Sequence, residues 1–462
     1  MPDRPLLSSA AGSRGDNLRV CYSAALHNLL DVNTIADAAD GAADGAAYLR
    51  AGGGYSDPWT RDAAINSWHA ASLLSPQVAK HTLQKVCTDG LIAQDNQWWD
   101  QIIWVIGAQH HHLVTGDAGF AADAFRIGAA SLDILRRDRF DSPSGLYRGP
   151  ALMQDGIAGY PEPPYQPDNP SSFVLDHPVS RDIRCLSTNA VYVGALGCLE
   201  QLAAEVGADP EPYAVQRAQL VAAINDHLWS DTAGTYGYFL GPGGLDLHQE
   251  TAGLALAIEF GIAGAERAAG IVEGIHREPF GVVNVWPHFA RFGSDRPGRH
   301  NAICWPMVMG LWGYSAAAAQ HAAEFGRALD DLVTVFRSSG DELFEVYNAT
   351  TGEVDGGWQV GRQWESLPHQ TWSATALLRL VHEGLFGLRF GAEGITIRPT
   401  VPTTYAGEWS LRSLRYRAAT LDVTLRGEGT HVQSVHLDGQ AMETPFVPAT
   451  LTGHHHVEVV LG

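Results

Sequence analysis

The stretch Gly53-Gly-Tyr-Ser-Asp-Pro-Trp-Thr-Arg-Asp-Ala-Ala-Ile65 gathers three side chains suited to gripping a small polyhydroxylated ring. Arg61 offers paired planar donors, Asp62 offers acceptors for two neighbouring hydroxyls, and Trp59 offers a flat apolar face. The glycines and Pro58 make a tight, non-helical approach, and a helix is expected to open near Asp62, which places all three at one end of that helix. An N-capping Asp beside a salt-bridged Arg would use the same residues, so the chemistry depends on what the chain brings opposite them.

Carboxylates in two distant connections are the candidates. Glu345-Val-Tyr-Asn-Ala-Thr-Thr-Gly-Glu353 is followed by Glu365, in Gly361-Arg-Gln-Trp-Glu-Ser, and by Gln370-Thr-Trp372-Ser-Ala-Thr-Ala-Leu-Leu. Earlier, Gly149-Pro-Ala-Leu-Met-Gln-Asp-Gly-Ile-Ala-Gly-Tyr-Pro-Glu-Pro-Pro-Tyr165 holds Asp155 and Glu162. Met153, Gly156 and Ile157 are expected to give Asp155 the partly apolar surroundings that keep a carboxyl protonated.

The string Trp59-Thr-Arg-Asp-Ala63 resembles the terminal-sugar recognition motif of glucoamylases and their six-hairpin relatives, processing glucosidases and rhamnosidase-like enzymes among them. The stretch from Glu345 to Glu353, with the Gln370-Thr-Trp-Ser-Ala opening, is similar to the segment of those enzymes that carries the general base. The resemblance implies an inverting, exo-acting glycoside hydrolase that removes a terminal sugar from an oligosaccharide or glycoside. Glu345 then activates water, with Glu365 as the alternate base. Asp155 takes the place of the acid, with Glu162 as alternate, although Asp-Gly-Ile-Ala-Gly stands where the relatives read Asp-Asn-Ser-Pro-Arg. Arg299-His-Asn-Ala-Ile-Cys-Trp305-Pro is similar to the Arg-Gly-Pro-x-Trp element that lines the barrel mouth, and Gln97-Trp98-Trp99-Asp100 opens an inner helix. Trp98 and Trp305 are therefore expected as subsite walls, and Gln370 and Trp372 as further substrate-binding residues. Inversion calls for carboxyl groups roughly 6.5–9.5 Å apart, with room for water between them. This chemistry needs neither metal nor cofactor; a structural Ca²⁺ in the acidic loops is compatible with it.

Such residues must be positioned by the rest of the chain. Helical periodicity recurs near 20–30, 62–74, 76–91, 98–115, 119–137, 187–206, 212–228, 247–260, 264–275, 300–316, 318–337 and 370–386. Short links such as Thr115-Gly-Asp-Ala118 alternate with long ones rich in aromatic and acidic residues, the longest being 138–186, 276–299 and 338–369. Six hairpins closed into a ring give a mainly α fold, an (α/α)6 barrel, over 1–387. From 388 to 462 apolar and polar residues alternate, with Asp438-Gly439 as a turn signal, so a small antiparallel β-domain is expected there. This C-terminal text is similar to the β-domain of many six-hairpin hydrolases. The runs His110 to His112, on a helix, and His454 to His456, on a strand, cannot each converge on one metal ion.

The formal charge of −21, from 30 Lys and Arg against 51 Asp and Glu, disfavours nucleic acid as a partner. No window has the roughly 18 uninterrupted apolar residues of a membrane span, and the first residues lack a basic region followed by an apolar one, so a cytoplasmic location without membrane contact is expected. The five cysteines lack a CxxC pair and are expected as reduced thiols. Thirteen tryptophans suit sugar stacking, though large cores also use them. The same barrel hosts epimerases working with paired histidines, and lyases acting on acidic sugars. A phosphorylase would need an anion pocket, and a non-catalytic carbohydrate-binding protein would not need the loop carboxylates.

Overall fold

The computed structural model describes residues 4–38, 45–93, 96–293 and 295–462. Six helices are buried on all sides or nearly so. They are α2 (Thr60–Asn66, continued by a π-turn at Ser67–Ala71 and by Ser72–Leu74), α4 (Trp104–Thr115), α6 (Leu186–Glu205), α8 (Thr251–Glu259), α10 (Pro306–Ala318) and α12 (Thr371–Arg379, continued by a π-turn at Leu380–Leu385). Each packs on the next and α12 packs back on α2, which closes a ring. The helices between them in sequence are α1 (Gly12–His27), α3 (Pro76–Lys85), α5 (Ala118–Arg139), α7 (Glu211–His227), α9 (Ala265–Gly274) and α11 (Ala322–Ser338). These form the outer layer. In α11 the buried set Phe325, Leu329, Leu332, Val333 and Phe336 follows the period of a helix that is wet on one side. The architecture is an (α/α)6 barrel.

The boundaries depart from the expected ones where local chemistry intervenes. The helix expected over 76–91 stops at Lys85, because Asp89 and Gly90 adopt positive φ (53° and 76°) and turn the chain into a small hairpin, Cys87–Thr88 with Leu91–Ile92. The one expected from 300 begins at Pro306, whose ring fits the first helical position and breaks any later one. The one expected from 98 begins at Trp104 after a 3₁₀ turn at Gln101–Ile103. All three shifts lie at the mouth or in connections.

The C-terminal strands are β2 (Leu388–Gly391), β3 (Gly394–Ile397), β4 (Gly407–Tyr416), β5 (Ala419–Gly427), β6 (Val432–Leu437), β7 (Gln440–Ala441), β8 (Phe446–Pro448) and β9 (Gly453–Leu461). One sheet has the order β1-β4-β5-β9-β6-β7, where β1 is Leu6–Ser9 from the start of the chain; β2-β3-β8 form a second. Neighbours are antiparallel apart from β5 and β9. Buried Leu421, Val423 and Leu425 alternate with more exposed residues along β5, as a sheet with one covered face requires. The covered face joins the barrel interior: Leu7, Trp409, Leu411 and Leu414 belong to the same apolar cluster as the inner helices.

His110, His111 and His112 are all buried in α4 and face different neighbours. His110 packs edge-on to Phe390, His111 packs on Phe120, and His112 lies 3.4 Å from Glu205. His454, His455 and His456 likewise face Asp422, Asp438 and Thr424 separately. Among the described residues no helix is long and apolar enough to cross a membrane, and no group of three or more His, Cys, Asp or Glu is arranged to hold a metal ion.

Candidate active site

A cavity of about 670 Å³ opens at one end of the ring. Its walls come from the connections leading into α2, α4, α6, α10 and α12 and from the first turns of α2 and α12, so the N-termini of those two helices, with their partial positive charge, face it. A second apolar cluster, including Trp98, Trp99, Ile157, Tyr160, Val174 and Tyr238, packs beneath the long connection before α6 and holds it as ordered structure.

Among the expected site residues, Trp59, Arg61, Asp62, Asp155, Trp305, Glu345, Glu365, Gln370 and Trp372 line this one cavity. Trp98 and Glu162 are not in its lining. Trp98 faces away, under the guanidinium of Arg139 (3.7 Å), and its ring lies against Gly149, so it supports the connection that carries Asp155. Glu162 is exposed beyond the apolar cluster. Glu365 borders the cavity with an exposed side chain, and its carbonyl accepts from Arg299 Nη1 at 3.2 Å.

Arg61 is buried and donates from Nη1 to Asp100 Oδ2 at 2.8 Å, while its Nη2 reaches Asp155 Oδ2 at 3.5 Å. Asp100 is fixed in turn by the backbone N–H of Met153, 3.0 Å away, so the arginine, the approach to α4 and the Asp155 connection form one polar knot. Asp62 is also buried. Loss of hydration pushes its carboxyl up to about 7, with Arg61 opposing the shift and Glu345, Asp100 and Asp155 adding to it. A carboxyl raised in this way can donate to a hydroxyl as well as accept from one.

Asp155 follows Met153, which adopts a positive φ of 58°, and its backbone is pinned by the Val174 N–H at 2.8 Å. The surroundings of its carboxyl are not the apolar ones expected: Ile157 turns into the cluster beneath, and polar groups face the oxygens. Gln97 Nε2 donates to Oδ2 at 2.7 Å, and His300 Nε2 lies 3.2 Å from Oδ1. Burial and the nearby Arg299 and Arg61 push His300 well below its ordinary value, so the ring is neutral.

Glu345 is 3% exposed. Its Oε2 pairs with Arg299 Nη2, and its Oε1 takes a 3.4 Å contact from the Tyr55 hydroxyl. Arg299 is anchored by carbonyls of Gly356 and Glu365, and its own carbonyl accepts from the Trp305 indole at 2.6 Å. Gln359, on the hairpin Trp358–Gln359 with Arg362–Gln363, reaches across to accept from the Ala158 N–H at 3.3 Å, which ties the Glu345 connection to the Asp155 connection.

Tyr55, Gln97, His300, Gln359, Arg362 and Trp364 also line the cavity without having been singled out from sequence as site residues. Tyr55 and Gln97 lie beside motifs that were. Nothing in the spacing of Gln359 or Arg362 marks them, since a hairpin folded over a distant loop brings them in.

Residues 55–373 match the family model described as mannosylglycerate hydrolase MGH1-like glycoside hydrolase domain. Among solved structures, the chain is similar to the GH63 mannosylglycerate hydrolase from Thermus thermophilus in complex with glucose, with TM-score 0.60 and 17% identity over 78% of this chain and 100% of that one. It is also similar to a GH78 family rhamnosidase of a Bacillus species (TM-score 0.55, 15% identity, 99% of this chain and 44% of that one). A sialidase aligns with TM-score 0.70 and 14% identity over 95% of this chain. The chain spans 40% of that sialidase's length. At such identities the likeness is one of fold. No curated protein matches the chain. The family match covers the barrel from the approach to α2 into α12, including Arg61, Asp62, Asp155 and Glu345, and the chain belongs to the mannosylglycerate hydrolase MGH1-like glycoside hydrolase family.

Proposed function

We propose that the protein hydrolyses a glycoside by single displacement, releasing a terminal sugar with inversion. The observation that carries this reading is that Asp155 and Glu345, from separate connections, line one cavity together with the Arg61–Asp62 pair. Arg61, Asp62 and the indoles of Trp59, Trp305 and Trp372 grip the terminal ring, with Gln370 beside them. Glu345, positioned by its ion pair with Arg299, takes a proton from water with the Tyr55 hydroxyl alongside, and the water attacks the anomeric carbon. Asp155 gives its proton to the departing glycosidic oxygen from the other side. The buried Arg61–Asp100 pair closes the inner end of the cavity, which favours a chain end over an internal unit.

The leaving portion of the substrate is read from the mouth. Arg61 and Arg299 are paired with carboxylates, whereas Arg362 lines the cavity stacked on Trp364 at 4.1 Å with no such pairing among the described residues. A small acidic aglycone would supply the missing charge. Mannosylglycerate, for which the similar Thermus thermophilus hydrolase is named, has that character. The five cysteines are unpaired, which supports a reducing, cytoplasmic setting.

Proton NMR of freshly released sugar tests the scheme: the anomer opposite to that of the substrate is expected, and a retained anomer would defeat single displacement. An epimerase needs two bases across a sugar carbon, typically paired histidines, and His300 is the one histidine in the cavity lining among the described residues.

A further inference from the structure

We propose that the far end of the barrel holds a second, non-catalytic site for a small neutral hydroxylated molecule, a single sugar or a polyol. The site does not depend on which carboxylates carry the hydrolysis.

A cavity of about 330 Å³ lies among the C-terminal halves of the inner helices. Gln109 and His110 of α4, Gln201 of α6, Glu259 of α8, Tyr314 of α10 and Arg379 of α12 line it together. The connections leading into α4, α6, α10 and α12 build the catalytic cavity, so the two cavities lie at opposite ends of the ring.

Two buried polar side chains on this cavity lack a protein partner. His110 is 7% exposed, and neither ring nitrogen hydrogen-bonds to another described residue; the ring is set edge-on to Phe390 with centroids 5.5 Å apart. Burial and the nearby Arg379 push it down to about 3, so the imidazole is neutral and offers one donor and one acceptor. Tyr314 is also buried, and its hydroxyl bonds to no other described residue. Its ring is held by the guanidiniums of Arg379, 3.6 Å from the centroid, and Arg389, 4.4 Å from it. Buried polar groups are nearly always hydrogen-bonded, so two exceptions on one cavity point to a ligand that supplies the bonds.

The charges around them decide its class. Arg379 is paired with Glu259 and lies 3.5 Å from Glu383, while Arg217 is paired with Glu200 at 2.9 Å. Arg389, the other guanidinium on the wall, acts on the same Glu383. The ends of the inner helices that gather here carry partial negative charge, which disfavours an anion, and the guanidiniums disfavour a cation. A hydroxyl both donates and accepts, which suits a wall mixing carboxylates with guanidiniums. Leu113, Val193 and Phe260 supply apolar surface for the C–H face of a ring. The volume is at the low end of the roughly 300–1,000 Å³ usual for ligand pockets, enough for one ring and not for a chain.

Nitrogen-15 NMR of the histidine-labelled full-length protein reads the site, with the His110 signal identified by its loss in H110Q. D-glucose, D-mannose and glycerol are the probes, and inorganic phosphate and acetate are the ionic controls. Saturable movement of the His110 signal with a neutral probe, and none with the ions, is expected. Tyr314→Phe should weaken that binding roughly 2- to 10-fold, as the loss of one hydrogen bond does. Gly197 on α6 also lines the cavity, and a Cβ there meets nothing closer than Arg217 Cδ at 3.4 Å, so Gly197→Leu adds bulk to the wall without straining the helix. It should abolish the response, whereas Asp62→Asn, in the catalytic cavity, should leave it intact. Movement that does not saturate with any neutral probe, a response to phosphate or acetate alone, a response that both Tyr314→Phe and Gly197→Leu leave unchanged, or one that Asp62→Asn removes would overturn the proposal.

Discussion

Arg299 and Glu345 form an ion pair inside the cavity wall, Nη2 against Oε2, with neither side chain more than 8% exposed. The pair fixes the direction in which the Glu345 carboxyl points, as the proposed base for water requires. Glu345→Gln keeps the volume and removes the basicity. Hydrolysis of the true glycoside is expected to fall by about 10² to 10⁴, with sugar binding by calorimetry little changed. Turnover near the wild-type rate would show that another group, Glu365 first, activates the water.

Asp62 makes stability depend on pH in a direction opposite to that of a salt-bridged carboxylate. Burial raises it from 3.8 to about 7, so the folded protein keeps a proton that the unfolded chain gives up. The associated stability is complete below the unfolded value and is lost as pH climbs through about 7. Asp62→Asn cannot titrate, and its Tm should fall less than that of the wild type between about pH 5 and about pH 8. Glu250 and Glu383, also raised by burial, are present in both proteins and cancel in the comparison. Parallel Tm curves would count against the assignment.

Gly156 has an ordinary backbone, yet the space beside it is occupied. A Cβ there would stand 2.0 Å from Gln359 Nε2 and 2.2 Å from His300 Cδ2. Gly156→Ala should therefore push the Asp155 connection off the hairpin opposite, and a displacement near 1 Å costs on the order of 10² in rate. The expected signature is a lower kcat with a Tm reduced only modestly; an unaffected kcat would mean that the two connections adjust independently.

Residues 1–387 and 388–462 read as separate units in sequence, and their independence can be measured. Leu7 of β1 pairs with Leu411 of β4, Tyr405 donates to Asp330 at 2.9 Å, and the Arg417 N–H bonds to Val114 O at 3.2 Å. A chain ended at 387 is expected to be insoluble or to melt well below the full-length protein, because β1 loses its partner and apolar faces of the barrel are uncovered. A truncated chain with the full-length Tm would establish that the sheet is dispensable for folding.

How far the sequence carried depends on the range of the interaction. Arg61 and Asp62 were legible because one helix start places both, and Gln370 and Trp372 for the same reason at the start of α12. The inner helices were legible as long apolar runs. Trp98 was misread because a wall indole and a packing indole look alike in sequence; its orientation is set by Arg139 and Gly149, distant in the chain. The surroundings of Asp155 were misread for a related reason. Its chain neighbours Met153 and Ile157 are apolar, but the groups that face its oxygens, Gln97 and His300, arrive from other connections.

The bond from the Ala158 N–H to Gln359 joins the connections that carry Asp155 and Glu345 through a short hairpin that lies outside the helices of the barrel. The hairpin tip at Gly361 faces open space, so its length can vary without disturbing that bond. A chain built this way can change the side chains it presents at the cavity mouth while the join between its two longest-range connections stays as it was.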